Sequence, residues 1–164
     1  MGRGFTQYSY IDDELPDEWP IHSAHLDYIL DDGTRLNVNQ ADYYCPNCNH
    51  FVVGERIETV SALEQEINDI ENAPQSRRRM LAEVIGNTPQ QIAELHIRIR
   101  WRKNRKAPPK CLQCGCTQIL PIPDYDEFNH PQTGQPMKRS GRGFATTTEW
   151  HATYTPEGDQ IESS

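Results

Sequence analysis

Two Cys-x-x-Cys pairs, Cys45-Pro46-Asn47-Cys48 and Cys111-Leu112-Gln113-Cys114, constrain this chain more than any other feature. Each pair offers two thiolates from one tight turn. Together they supply four, the tetrahedral set that Zn²⁺ takes in structural sites. The residue after each second cysteine often needs a positive φ, which Gly115 supplies freely and Asn49 tolerates. The expected cofactor is therefore one structural zinc ion per chain, held by Cys45, Cys48, Cys111 and Cys114. The competing reading is two buried thiol pairs without metal. Either way, joining the pairs closes a loop of 62 residues, from 49 to 110.

Composition favours the metal. Hydrophobic residues make up 35% of the 164 and there are 12 prolines, which implies a small core and much irregular surface. Domains with small cores commonly recruit a metal. The first ten residues lack the apolar stretch of a signal peptide, and no run approaches the ~18–20 apolar residues of a membrane span. We expect a soluble, cytoplasmic protein, where paired cysteines bind metal more often than they form disulfides.

The net charge of −8 is unevenly spread. Residues 1–44 carry nine acidic and two basic side chains, whereas residues 77–110 carry two acidic and ten basic. The basic island is either a docking surface for an anionic partner or the counterpart of acidic residues in the same chain, such as Asp12, Asp13, Glu14, Asp17 and Glu18.

Along the chain, residues 1–24 read as an acidic arm, poorly ordered or packed at the periphery. Residues 25–57 read as a β-hairpin and the first knuckle: a strand from His25 to Leu30, a primed Asp32-Gly33 turn, a short strand through Leu36 and Val38, and a strand from Phe51 to Val53. Residues 58–106 change to a helical period. Val60, Leu63, Ile67 and Ile70 share one face of a first helix, which Pro74 ends. A second helix spans about Arg77 to Ile85. A third starts at Thr88-Pro89-Gln90-Gln91, with Thr88 as cap, Pro89 in the first turn and a stripe of Ile92, Leu95 and Ile99. The Val60–Ile70 face is covered either by this third helix or by a partner. Residues 107–155 hold the second knuckle, a strand at Thr117–Leu120, a turn-rich loop at 129–136 and a strand from Phe144 to Tyr154. Residues 156–164 read as a frayed tail. The repeated Gly-Arg-Gly-Phe at 2–5 and 141–144 reads as coincidence.

The paired knuckles resemble the zinc-ribbon class, whose members carry two such turns on short β-hairpins. The resemblance covers about 20 residues, and the spacer here is longer than usual. It implies an α+β zinc-ribbon fold with short antiparallel hairpins and an inserted helical hairpin or three-helix segment, all in one domain. Residues 81–95 look like the helix-turn-helix class, with Ala82, Gly86, Ile92 and Leu95 in the matching positions and Asn87 as a departure. That resemblance implies nucleic-acid contact, with Pro89, Gln90, Gln91, Ala93 and Glu94 opening the recognition helix and Arg77, Arg78, Arg98, Arg102, Lys103, Arg105 and Lys106 as candidate phosphate contacts. A helical hairpin without nucleic acid is the competing reading.

Other candidates are bland. Cys116 reads as a small, partly buried hydrophobe and His50 as a surface residue or a hydrogen-bond donor to a ligand sulfur. His22 and His25 have metal-pair spacing without a nearby third ligand. Asp124, Asp126 and Glu127 read as solvated surface. No nucleophile elbow, phosphate loop or His-Glu-x-x-His is present, and a filled four-thiolate site does not activate water. The expectation is a non-catalytic binding or adaptor protein with a protein partner. The alternative is a DNA- or RNA-binding regulator.

Overall fold

The computed structural model describes residues 3–23, 25–73, 88–145 and 151–163. It is α+β: several small sheets and, among the described residues, two helices. The strands are β1 (Arg3–Tyr10), β2 (Leu26–Ile29), β3 (Arg35–Asn37), β4 (Gln40–Cys45), β5 (His50–Glu55), β6 (Leu120–Pro121), β7 (Glu127–Asn129), β8 (Pro136–Ala145), β9 (Ala152–Tyr154) and β10 (Gln160–Ser163). The helices are α1 (Val60–Glu71) and α2 (Thr88–Asn104). The expected helix at 77–85, and with it Arg77, Arg78 and the turn of the helix-turn-helix resemblance, lies outside the described residues.

The strands form three sheets, ordered β1-β8-β7, β10-β9-β2-β3 and β5-β4-β6. The last is the knuckle sheet, and its two faces follow the strand period of two. Tyr44 and Phe51 sit opposite each other and join Tyr8, Phe128 and Met137 in an aromatic cluster. On the other face, Tyr43 and Val52 pack with the cysteines and Ile119. A third cluster lies where α2 meets the four-stranded sheet: Trp101 stacks near Tyr28 with centroids 4.6 Å apart, among Leu26, Leu36, Val38 and Tyr154.

Helix α1 starts where Thr59 Oγ1 accepts the Ala62 N–H at 3.1 Å, an ordinary N-cap. Its buried face, Leu63 and Ile67, packs on Ile99 of α2, with Val60, Ile92 and Leu95 around it. The apolar stripe of α1 is thus covered by the chain itself. Helix α2 is gripped on two sides, by α1 through Ile99 and by the four-stranded sheet through Trp101, whose indole N–H donates to the Pro156 carbonyl at 2.8 Å.

Four local expectations are corrected. Residues 3–10 are no loose arm: they pair with β8 over eight residues, and Tyr8 is 2% exposed. Burial of alternate aromatic residues outweighs the acidic composition of the segment after it. The Gly-Arg-Gly-Phe repeat is not coincidence in space, because the copies face each other with Gly4 opposite Phe144 and Phe5 opposite Gly143. A Cβ on Gly143 would lie 2.8 Å from the Phe5 ring, so glycine makes the seat for that ring. The tail is also ordered, since Gln160–Ser163 forms the sheet edge β10. Finally, the β2–β3 turn has Ile29 opposite Arg35, with only Gly33 at positive φ (84°), because Asp32 uses its carboxylate to accept the Thr34 N–H instead. The described ends of the expected Phe144–Tyr154 strand fall in two strands of different sheets, β8 and β9, and residues 146–150 lie outside the described residues.

Candidate metal centre

The first Cys-x-x-Cys pair forms the turn between β4 and β5, and the second follows a short segment that pairs with the outer edge of β5. Glu55 N–H donates to Lys110 O at 3.0 Å and Leu112 N–H to Val53 O at 3.1 Å. The two turns are built alike. Asn49 N–H closes on Cys45 O and Gly115 N–H on Cys111 O, each at 2.8 Å, with Asn49 at φ 60° and Gly115 at φ 79°. The Tyr44 hydroxyl donates to Asn49 Oδ1 at 3.0 Å and so fixes the one non-glycine residue in that conformation.

These turns bring the sulfurs of Cys45, Cys48, Cys111 and Cys114 within 4.8 Å of one another. Cys45 Sγ lies 3.6 Å from Cys114 Sγ, and Cys48 Sγ 3.9 Å from Cys111 Sγ. A tetrahedron with Zn–S bonds of about 2.3 Å has edges of about 3.8 Å. The two closest pairs bracket that length. The donor set fits a tetrahedral thiophilic cation, and the site is half-sunk: Cys45 and Cys111 are buried, Cys48 partly so, and Cys114 exposed.

The thiols also resist ionising together. Burial first, then neighbouring thiols, push Cys48 far above the ordinary range. Burial likewise raises Cys111 to about 11. Burial opposes the ionisation of Cys114 too, but the Asn47 side chain, the Cys116 backbone and the other cysteines outweigh it and bring it down to about 6. A cation bound among the four sulfurs would supply the opposing charge and favour their thiolate forms.

The remaining sequence candidates sort themselves out. Cys116 is half-buried beside the cluster, accepts the Gln118 N–H at 3.3 Å and stands outside the four-sulfur group. His50 Nδ1 lies 2.9 Å from Phe51 O rather than on a sulfur. His22 pairs with Asp42 at 2.8 Å while His25 stacks on His151, so the two do not converge on one ligand position.

Part of the basic island is engaged within the fold, with Arg77, Arg78 and Arg79 outside the described residues and Arg100 exposed. Arg98 is buried and donates to Asn37 O at 2.8 Å, and Arg102 Nε donates to Glu58 O at 3.0 Å. Arg105 is wholly interior. Its two terminal nitrogens each meet Glu55 at 2.8 Å, and its remaining donors reach the carbonyls of Ala107, Pro108 and Pro156. Arg98 and Arg105 are therefore corrected as nucleic-acid contacts: both are spent inside the fold. Lys103 and Lys106 are exposed. Among the described residues, the carboxylates paired with the island are Glu55, Glu94, Glu157 and Asp159; in the amino-terminal group, Asp17 takes the Gln7 amide and Glu18 the Phe51 N–H.

The sequence reading missed Glu55, which is 0% exposed. Its oxygens accept from Arg105 twice, from the Tyr28 hydroxyl and from the Lys110 N–H at 3.0 Å, the residue before Cys111. Gly158 closes over this pair at φ +87°, where a Cβ would lie 2.6 Å from a Glu55 oxygen. Glu55 follows an apolar run, Phe51-Val52-Val53-Gly54, and a glutamate in such a run was the only signal available. No family model, curated protein or solved structure matches the chain, so the metal centre is read from its own geometry.

Proposed function

We propose that the chain is a non-catalytic binding or adaptor module whose fold closes around one structural zinc ion in the manner of a zinc ribbon. The observation that carries this reading is the sulfur spacing, 3.6 and 3.9 Å between partners drawn from two turns of the same build. Cys45, Cys48, Cys111 and Cys114 fill a tetrahedral shell, which leaves no position for water or substrate. The ion supplies positive charge and cross-links residues 63 apart in sequence, from Cys48 to Cys111. Binding is then the work of the surfaces that this clasp holds in place.

Metal analysis of the purified chain tests the reading: about one zinc per chain is expected, released by a strong chelator with loss of structure. A zinc-free chain that is folded overturns it. Among the described residues no helix is long and apolar enough to cross a membrane, so the partner we favour is a protein. Among the described candidates, the nucleic-acid alternative keeps the exposed Lys103 and Lys106, with Arg77 and Arg78 outside the described residues. Salt-dependent retention on duplex DNA, lost on charge reversal at those two positions, is the result that would revive it.

A further inference from the structure

A cleft of about 640 Å³ opens between residues 17–21 and β5, with Leu112 and Gln113 of the second knuckle also lining it. Its outer wall is fixed in place. Tyr8 and Glu18 exchange both backbone hydrogen bonds, at 2.8 and 2.9 Å, and Phe5 and Ile21 form a second bridge. Glu18 then reaches across to the β5 edge and accepts the Phe51 N–H at 3.0 Å. A carboxylate thus takes a backbone donor that another strand would otherwise use.

Trp19 lines this cleft and is 50% exposed. The Phe5 ring stands 6.3 Å from it and is itself seated over Gly143, so the indole has a rigid backing. A large aromatic left in water beside a cleft marks a docking position, since tryptophan anchors are what such surfaces use. The charge is one-sided. Asp17 and Glu18 line the cleft, and among the described residues neither Lys nor Arg does. Asp12, Asp13 and Glu14 extend the same sign along an exposed approach. An indole face beside carboxylates offers a cation both π-attraction and a charge-assisted hydrogen bond.

We propose that this cleft binds the basic side chain of an extended peptide segment of a partner protein, an Arg or Lys stacked on Trp19 and paired with Asp17. The apolar residues of the cleft, Ile21, Val53 and Leu112, take a neighbouring apolar side chain of the same peptide. The proposal deepens the binding-module reading and rests on it for its biological meaning, and the experiment is arranged so that the two can fail separately.

The test is selection of random hexapeptides displayed on phage against the full chain, with counter-selection on Trp19→Ala. Peptides with Arg or Lys at one fixed position should be enriched. The affinity of the best of them should fall at least tenfold when that residue is replaced by citrulline, which keeps the shape and removes the charge. It should fall at least fivefold on Trp19→Ala or Asp17→Asn, and weaken with added salt. Zinc content and thermal unfolding should stay unchanged in Asp17→Asn, whose carboxylate is exposed. Enrichment of nothing, or of peptides without a basic residue, overturns the proposal. So does affinity indifferent to citrulline or to Asp17→Asn, or sedimentation showing that two copies of the chain bury Trp19 against each other. A zinc-free chain that still selects basic peptides overturns only the metal reading. A zinc-loaded chain that selects none overturns only this one.

Discussion

Two charged centres sit side by side in this molecule and solve the same problem in opposite ways. The Glu55–Arg105 pair is complete within the chain: four donors on one carboxylate, five guanidinium N–H groups all taken, both side chains fully enclosed. The four thiols beside it, with closest sulfur pairs at 3.6 and 3.9 Å, form a donor set that a cation could complete. Lys110 links the two centres, its N–H on Glu55 and its neighbour Cys111 in the metal set. Where the chain can bring an opposite charge from α2, it does. Where every group it brings is a thiol, the proposed ion would bring the charge.

The comparison breaks most visibly if the imported charge is withheld. Cys45→Ser, or removal of zinc, should unfold the knuckle sheet at a cost of roughly 10 kcal/mol or more, read as loss of cooperative thermal unfolding. The internal pair should cost less to break. Arg105→Met strands the buried Glu55 and is expected to cost about 3–5 kcal/mol. Adding Glu55→Gln to that variant should recover part of the loss, because a neutral amide is easier to leave unpaired than a carboxylate. A denaturant double-mutant cycle measures the difference. If Arg105→Met alone is silent, the pair is not the fastener described here.

Gly158→Ala probes the same pair through its lid. It combines a left-handed backbone with a methyl group pressed on the carboxylate, at an expected cost of about 2–4 kcal/mol, and zinc should remain bound. The smallest effect belongs to His130. Its Nδ1 lies 3.1 Å from the Gln132 and Thr133 N–H groups inside a ring of Tyr10, Tyr44 and Phe51, and burial holds its pKa below the ordinary value despite the nearby Glu18. The unfolded chain therefore takes up this proton first. Stability should be flat above about pH 6.5 and fall as the pH drops from there toward the depressed folded value. His130→Asn keeps the acceptor, loses the titration, and should remove that part of the slope in unfolding measured against pH.

How far each centre could be read beforehand follows from its chemistry. Cysteines paired at a fixed spacing announce themselves, as did Asn49 and Gly115 in the turn positions, because a knuckle is a local motif. The α1 stripe was legible for the same reason, and its cover by Ile99 follows from α2 running beside it. The Glu55–Arg105 pair is not local: its partners are 50 residues apart, and each looks like surface in its own segment. Strand β1 was misread because an acidic run next to it dominated the composition, while the pairing that orders it lies at the other end of the chain in β8, from Arg3 opposite Ala145 to Tyr10 opposite Met137. Arg98 and Arg105 were misread by the same route, since a cluster of cations on a helix looks like an anion site until their internal partners are in place.

The backbone pairing of Glu55 with Lys110 brings the two ends of the segment from 56 to 109 together beside the four cysteines. Whatever loosens α1 or α2 lengthens the loop that the ion must close, and a longer loop is entropically dearer. By reciprocity, the ion's affinity registers the condition of helices that never touch it. If the proposed ion is held there, weakening the cap at Thr59 with alanine should be detectable in a chelator competition, and the metal would serve as a remote gauge of the folding of a distant part of the chain.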